Sequence, residues 1–171
     1  MIEFVPRTKT VNKDRRYFID GDVFVKHDFV INRGVNESEK LYSLDHPYIQ
    51  KRISSGIKGT YHELRTAYFE GETLENYKFS DDEIVIVKSQ LFEVLAYLGK
   101  KGVTHGDINV SNVLWNGTHI LVIDWESGLF CDVDQRIFSN IDLVGRHPHS
   151  GILNTIEAMK KAQSETSNTH G

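Results

Sequence analysis

The 171-residue chain contains a single cysteine, Cys131. That excludes an internal disulfide framework and any multi-cysteine zinc site. No stretch approaches the ~18 apolar residues of a membrane span, and the start, Met1 to Arg7, lacks the apolar core of a signal peptide. A soluble, cytoplasmic protein with no membrane partner is the expectation. Neither charge dominates: 20 basic residues face 24 acidic ones, for a net charge of −4. This balance argues against nucleic acid as a partner. Internal repeats and low-complexity tracts are missing, prolines number three, and no glycine occurs between Val5 and Tyr17. What remains is an ordinary globular balance, 39% apolar and 26% charged. A chain this long buries about two-thirds of its unfolded surface, enough for one domain or two small lobes sharing a core.

The first third reads as strands. Ile2 to Val5 is short and apolar, and Arg7 to Arg16 is a polar, basic loop. The Asp20-Gly21 step between Tyr17-Phe18-Ile19 and Asp22 to Lys26 signals a hairpin. A helix is expected from near Asn36, with Leu41 and Leu44 apolar and Pro47 closing it. Strand-like runs follow at Tyr48 to Ile53 and Glu63 to Phe69. The spacing of Ile84, Val87, Leu91, Val94 or Leu95, and Leu98 predicts a helix over Asp81 to Lys100. A capping box, Ser80 to Glu83, opens it and Gly102 stops it. Asn116-Gly117 separates Val113-Leu114-Trp115 from Thr118 to Ile123 as a second hairpin. A last amphipathic helix is expected over Gly151 to Ala162, before a frayed tail over 163–171.

Chemistry concentrates between the long helix and the second hairpin. His105-Gly106-Asp107-Ile108-Asn109-Val110-Ser111-Asn112 has the form His-x-Asp-x-x-x-x-Asn. If Asn116-Gly117 is a two-residue turn, Trp115 pairs with Thr118 and Asp124 returns opposite Asn109. Asp107, Asn112 and Asp124 then converge. Carboxylates brought together repel unless a cation joins them, and hard oxygen ligands without thiolate point to magnesium.

These residues resemble the protein kinase-like superfamily. The loop with Asp107 and Asn112 is similar to its catalytic loop, and Ile123-Asp124-Trp125-Glu126 to its metal-binding segment. Asp-Trp-Glu resembles the aminoglycoside phosphotransferase branch. His-Gly-Asp also resembles the Rio kinases and the KEOPS kinase, and Ser111-Asn112 is similar to the KEOPS kinase and to lipopolysaccharide-core kinases. Val23-Phe24-Val25-Lys26 resembles the strand of the phosphate-binding lysine. The segment Glu37 to Ile49, with its His46-Pro47 exit, resembles the regulatory helix, selecting Glu37 as the partner of Lys26 with Glu39 second. Tyr68 to Leu74 looks like the hinge, where the backbone of Glu70 and Gly71 would face adenine. The resemblance covers residues 15 to 126 in collinear order. It implies ATP and Mg2+ as cofactors, with Asp107, Lys26 and Asn112 catalytic and Asn112 and Asp124 on the metal. His105 is expected to hold the loop, Trp125 to lie in the core, and His147 and His149 to lie on the surface.

The implied fold is α+β: a bilobal protein kinase-like fold with an amino lobe over 1–71, a reduced carboxyl lobe over 72–162, and no glycine-rich loop. Arg7, Lys9 and Lys13 are the charges that would stand in for that loop. Gly106 replaces the usual arginine, which implies no phosphorylation-coupled activation segment, and Asn109 stands where Ser/Thr protein kinases carry lysine. The implied activity is an ATP-dependent phosphotransferase acting on a hydroxyl, with a protein Ser/Thr preferred because the short segment after Asp124 leaves little wall for a small-molecule pocket. The alternatives are a small-molecule kinase of aminoglycoside or sugar type and a non-catalytic pseudokinase module.

Overall fold

A computed structural model describes residues 1–4, 13–131 and 141–168. Five antiparallel strands form the first sheet: β1 (Ile2–Phe4), β2 (Arg15–Asp20), β3 (Val23–Asp28), β4 (Arg52–Lys58) and β5 (Tyr61–Ala67), in the order β1-β2-β3-β5-β4. The Asp20-Gly21 hairpin joins β2 to β3, with Asp20 opposite Val23 and Gly21 at φ 59°. Helix α1 (Ile31–Tyr42) lies against this sheet. It starts five residues before the expected Asn36, with Val30 as its N-cap and no side-chain cap hydrogen bond. The Asp28 carboxylate, at the end of β3, accepts the Val30 backbone N–H at 3.0 Å and a two-pronged contact from Arg33 at 2.8 and 2.7 Å. Strand β4 starts later than Tyr48, because residues 48–50 are held elsewhere. Gln50 N–H donates to Val122 O and Val122 N–H to Tyr48 O, a parallel bridge to the second sheet.

That second sheet holds β6 (Glu72–Thr73), β8 (Val113–Trp115) and β9 (Ile120–Val122). Strands β7 (Val103–Thr104) and β10 (Leu129–Phe130) make a third pair. Helix α2 (Asp81–Lys101) has the expected reciprocal capping box: Ser80 Oγ accepts from Glu83 N–H at 3.2 Å, and Glu83 Oε1 from Ser80 N–H at 3.1 Å. Gly102 ends it at φ 66°, a left-handed cap that glycine adopts without a Cβ penalty. Ile84, Val87, Leu91, Val94 and Leu98 are all buried, so the apolar stripe faces the core. Helix α3 (Ile152–Asn168) packs on α2 through Ile152, Ile156 and Met159. It runs past Ala162, with Gln163 Nε2 donating to Asp81 Oδ1 at the start of α2. No helix among the described residues is long and apolar enough to cross a membrane.

The second hairpin differs from expectation by two residues. Trp115 pairs with Ile120, not Thr118. The reason is the Asn116 side chain: its Oδ1 accepts from Thr118 N–H, Thr118 Oγ1 and His119 N–H at 2.9 Å each. This closes a four-residue loop in place of a two-residue turn. A shift of two keeps the same faces inward, so Trp115, Ile120 and Val122 are all buried. It also carries Asp124 past Asn109 toward the end of the loop: Ile123 N–H donates to Asn112 O at 2.9 Å.

Candidate active site

The loop after β7 is rigid because nearly every polar group in it has a fixed partner. His105 is fully buried. Its Nε2 contacts the Ile123 carbonyl at 2.7 Å and its Nδ1 the Asp107 backbone N–H at 3.0 Å. A carbonyl can only accept and a backbone amide only donate, so the ring is the neutral tautomer with hydrogen on Nε2. The Asp107 carboxylate receives Asn109 Nδ2 on Oδ1 at 3.1 Å and Asn112 Nδ2 on Oδ2 at 3.3 Å. Asn112 Nδ2 also donates to the Asp107 carbonyl at 2.9 Å. Asn109 thus supplies a donor to Asp107 from the position where lysine was the family expectation.

Gly106 has a physical reason to lack a side chain. Its φ is +88°, and a Cβ there would sit 2.5 Å from Ser127 O. From below, Asp142 clamps the loop: its two carboxylate oxygens accept the backbone N–H groups of His105 and Gly106, each at 2.9 Å. Asp142 is buried. Nothing in the sequence marked it, because it follows a segment without periodicity.

Across from the loop lies a buried ionic cluster. Lys26, inward on β3, donates to Glu37 Oε1 of α1 at 2.8 Å, and its Nζ lies 3.5 Å from Asp124 Oδ1 and 3.4 Å from Glu126 Oε2. Glu39, the second candidate, is exposed. Glu37 reaches two ways, since its Oε2 accepts the Trp125 backbone N–H at 2.8 Å. One residue earlier, Asn36 Nδ2 donates to Glu126 O at 2.7 Å. Helix α1 therefore fixes both Lys26 and the turn at 124–128. Burial pushes the Lys26 ammonium toward deprotonation, but Glu37, Asp124 and Glu126 outweigh it and hold its pKa well above the usual lysine range. Asp124 has φ 60° and ψ 70°, the only positive φ outside glycine among the described residues. A carboxylate held in that costly conformation is characteristic of functional sites. Trp125 is fully buried and its indole N–H donates to Val122 O.

One residue of this cluster, Arg15, was not singled out from sequence. Arg15, at the start of β2, puts Nη2 2.6 Å from Glu126 Oε1 and Nε 3.8 Å from Asp28 Oδ2. Burial disfavours its charge, but Glu126 overcomes this and raises its pKa. Of the charges expected to replace a glycine-rich loop, Arg7 and Lys9 lie outside the described residues, and Lys13 is exposed. Glu70 and Gly71 are exposed in the connection from β5 to β6, between the first two sheets.

Among the described residues, the acidic groups whose ligand atoms gather within 4.8 Å are Glu37, Asp124 and Glu126. Asn112, an amide and so outside any purely acidic group, is tied to the Asp124 segment by the Ile123 N–H, which donates to its carbonyl. The donor set suits a metal–polyphosphate pair: hard carboxylate oxygens for a divalent cation, and two cations, buried Lys26 and part-buried Arg15, for phosphate. An open cleft of about 690 Å³ lies on the other side of the loop, between Val110 and the α3 residues Asn154, Glu157 and Lys161, with Pro148 and His149 at its rim. His147 and His149 are exposed.

Residues 60–135 match the model of the phosphotransferase enzyme family, APH. The matched stretch includes Asp107, Asn112, Asp124 and Glu126, and stops short of Arg15, Lys26 and Glu37. The chain is also similar to a protein of Dictyostelium discoideum described as a probable serine/threonine-protein kinase, at 32% identity over 87 residues. The aligned part is 47% of this chain and 13% of that protein, so the chain spans a small fraction of that relative's length. The resemblance to the protein kinase-like superfamily thus has its match in the APH phosphotransferase segment.

Proposed function

We propose that the chain is a Mg-ATP-dependent phosphotransferase that transfers the γ-phosphoryl group to a hydroxyl, on a protein serine or threonine. The observation that carries this reading is the Lys26–Glu37 pair, buried and ion-paired to Asp124, whose neighbour Ile123 is hydrogen-bonded to Asn112 in the loop that presents Asp107. In this reading Asp107 accepts or orients the acceptor's hydroxyl proton, which contributes on the order of 10²–10⁴ in rate. Lys26, held by Glu37, grips the phosphates. Asn112 and Asp124 hold magnesium, whose chemistry is to neutralise charge on the phosphates. The backbone of Glu70 and Gly71 faces adenine at the link between an amino lobe and a reduced carboxyl lobe. The relative described as a probable serine/threonine-protein kinase supports the choice of a protein acceptor.

One observation favours a second reading, a small-molecule acceptor. The cleft beside Val110 has the volume of a small-ligand site, about 300–1,000 Å³, and α3 is longer than its sequence pattern indicated. The test uses γ-labelled ATP and magnesium with two acceptor sets: a cell lysate, and a panel of aminoglycosides, sugars and choline. Label on a protein band supports the first reading, and label on a small molecule the second. A wild-type protein that binds Mg-ATP and labels neither is the pseudokinase module, contrary to both.

A further inference from the structure

Glu126 is held by two cations at once. Its Oε1 takes Arg15 Nη2 at 2.6 Å and its Oε2 faces Lys26 Nζ at 3.4 Å. The side chains of Arg15 and Lys26 are 10% and 4% exposed, whereas that of Glu126 is 22% exposed. The carboxylate is therefore the member of the trio nearest water, and the one able to rotate away while the cations stay. Arg15 is also incompletely served. Its Nε is buried without a hydrogen-bond partner, and its ionic contact with Asp28 is at 3.8 Å. A part-buried guanidinium offers five donors in a fixed fork, which suits an oxyanion with more than one oxygen.

We infer that Arg15 and Lys26 together form the polyphosphate site, and that Glu126 is its internal occupant, displaced when a nucleotide's phosphates enter. The inference rests on the phosphotransferase reading and adds a residue to it. It also answers how phosphates are gripped by a chain with no glycine between Val5 and Tyr17. A glycine-rich loop binds phosphate through backbone N–H groups, which need close approach. Arg15 lies within that glycine-free segment, at the first residue of β2, and offers a side chain instead. Its two-pronged, charge-assisted contacts replace the backbone ones. Glu126 keeps the paired cations neutralised until the ligand arrives, so binding is an exchange of one anion for another.

The test is calorimetric titration with ADP, inorganic tripolyphosphate and adenosine, all in EDTA so that no metal contributes. Wild type is compared with Arg15→Gln, Arg15→Lys and Glu126→Gln. Arg15→Gln should weaken ADP and tripolyphosphate by about tenfold or more, the worth of a charge-assisted contact, and leave adenosine unchanged. Arg15→Lys should fall between, keeping the charge and losing the fork. Glu126→Gln should bind both phosphate ligands more tightly, because the competing anion is gone. Equal losses for ADP and adenosine in the Arg15 variants would make Arg15 structural and overturn the assignment. Weaker ADP binding by Glu126→Gln would overturn Glu126 as a competitor. If Arg15→Gln does not fold, the Lys and Glu126 variants decide. A folded wild type that binds adenosine and ADP while the variants behave like it refutes this inference alone; one that binds neither refutes the nucleotide site itself.

Discussion

Replacing Glu37 by alanine perturbs three elements at once, and its cost can be worked from the contacts. The Lys26–Glu37 pair lies at 2.8 Å with side chains 4% and 2% exposed. Removing one partner of such a pair costs about 3–5 kcal/mol, because the other charge stays buried. The same change leaves the Trp125 backbone N–H without its acceptor, worth about 1–3 kcal/mol. Against this, Lys26 keeps Asp124 at 3.5 Å and Glu126 at 3.4 Å. These contacts absorb part of the loss, so the net expectation is about 3–5 kcal/mol. For a chain of this size each kcal/mol moves Tm by about 2–4 °C, so Tm should fall by roughly 6–20 °C. Glu37→Gln is the informative companion. It fills the same volume, but its one carbonyl oxygen can serve either Lys26 or the Trp125 N–H, so about half the loss should remain. Urea unfolding at pH 7, followed by tryptophan fluorescence, measures both. An alanine variant within about 1 kcal/mol of wild type would mean that the buried pair does not tie β3, α1 and the 124–128 turn together.

Gly106→Ala should cost about 2–4 kcal/mol, since it combines a positive φ with a Cβ driven against Ser127 O, and a thermal scan within 2 °C of wild type would contradict that geometry. Asp142→Asn should destabilise by about 1–3 kcal/mol, because one of the two backbone N–H groups it serves must face an amide NH2; amide hydrogen exchange at His105 and Gly106 should accelerate with it. Asp28 contributes to the acid limb of stability. Burial raises its pKa, but hydrogen bonds from Arg33 and Val30 N–H and the charges of Arg33 and Lys26 outweigh this and hold it below the usual carboxylate range. A carboxyl lowered on folding contributes stability above its unfolded pKa of about 3.9, lost as pH falls through the folded value. Urea midpoints measured from pH 7 down to pH 2 should therefore drop less steeply below pH 4 in Asp28→Asn than in wild type, and parallel curves would remove Asp28 from the account.

Local signals carried much of this structure. The capping box and stripe of α2 could be read within a few residues, because every group involved lies within one turn of its partner or on one helical face. The Asp20-Gly21 hairpin was legible for the same reason. Short-range competition hid other features. Asn116 was read as a turn residue by its backbone tendency, and its side chain instead accepted three donors and lengthened the loop. The start of α1 is hidden because its N-cap, Val30, carries no capping side chain and the carboxylate that anchors it, Asp28, belongs to β3. Long-range partners hid the rest. Arg15 meets Glu126 across 111 positions and His105 meets Asp142 across 37. An arginine after a basic loop and an aspartate in an aperiodic segment look like surface charges until the fold brings their partners in. The pairing of Lys26 with Glu37 was legible for the opposite reason: order along the chain, strand then helix, supplied its context.

The central claim is phosphoryl transfer through Asp107, and the most direct measurement is γ-label transfer from Mg-ATP by wild type and Asp107→Asn in parallel, with ATP binding measured on the same samples. Asparagine preserves the shape of Asp107 but cannot take a proton from the acceptor hydroxyl. The account predicts a loss of about 10²–10⁴ in transfer rate with ATP affinity within about threefold of wild type. Transfer by Asp107→Asn at the wild-type rate would contradict it.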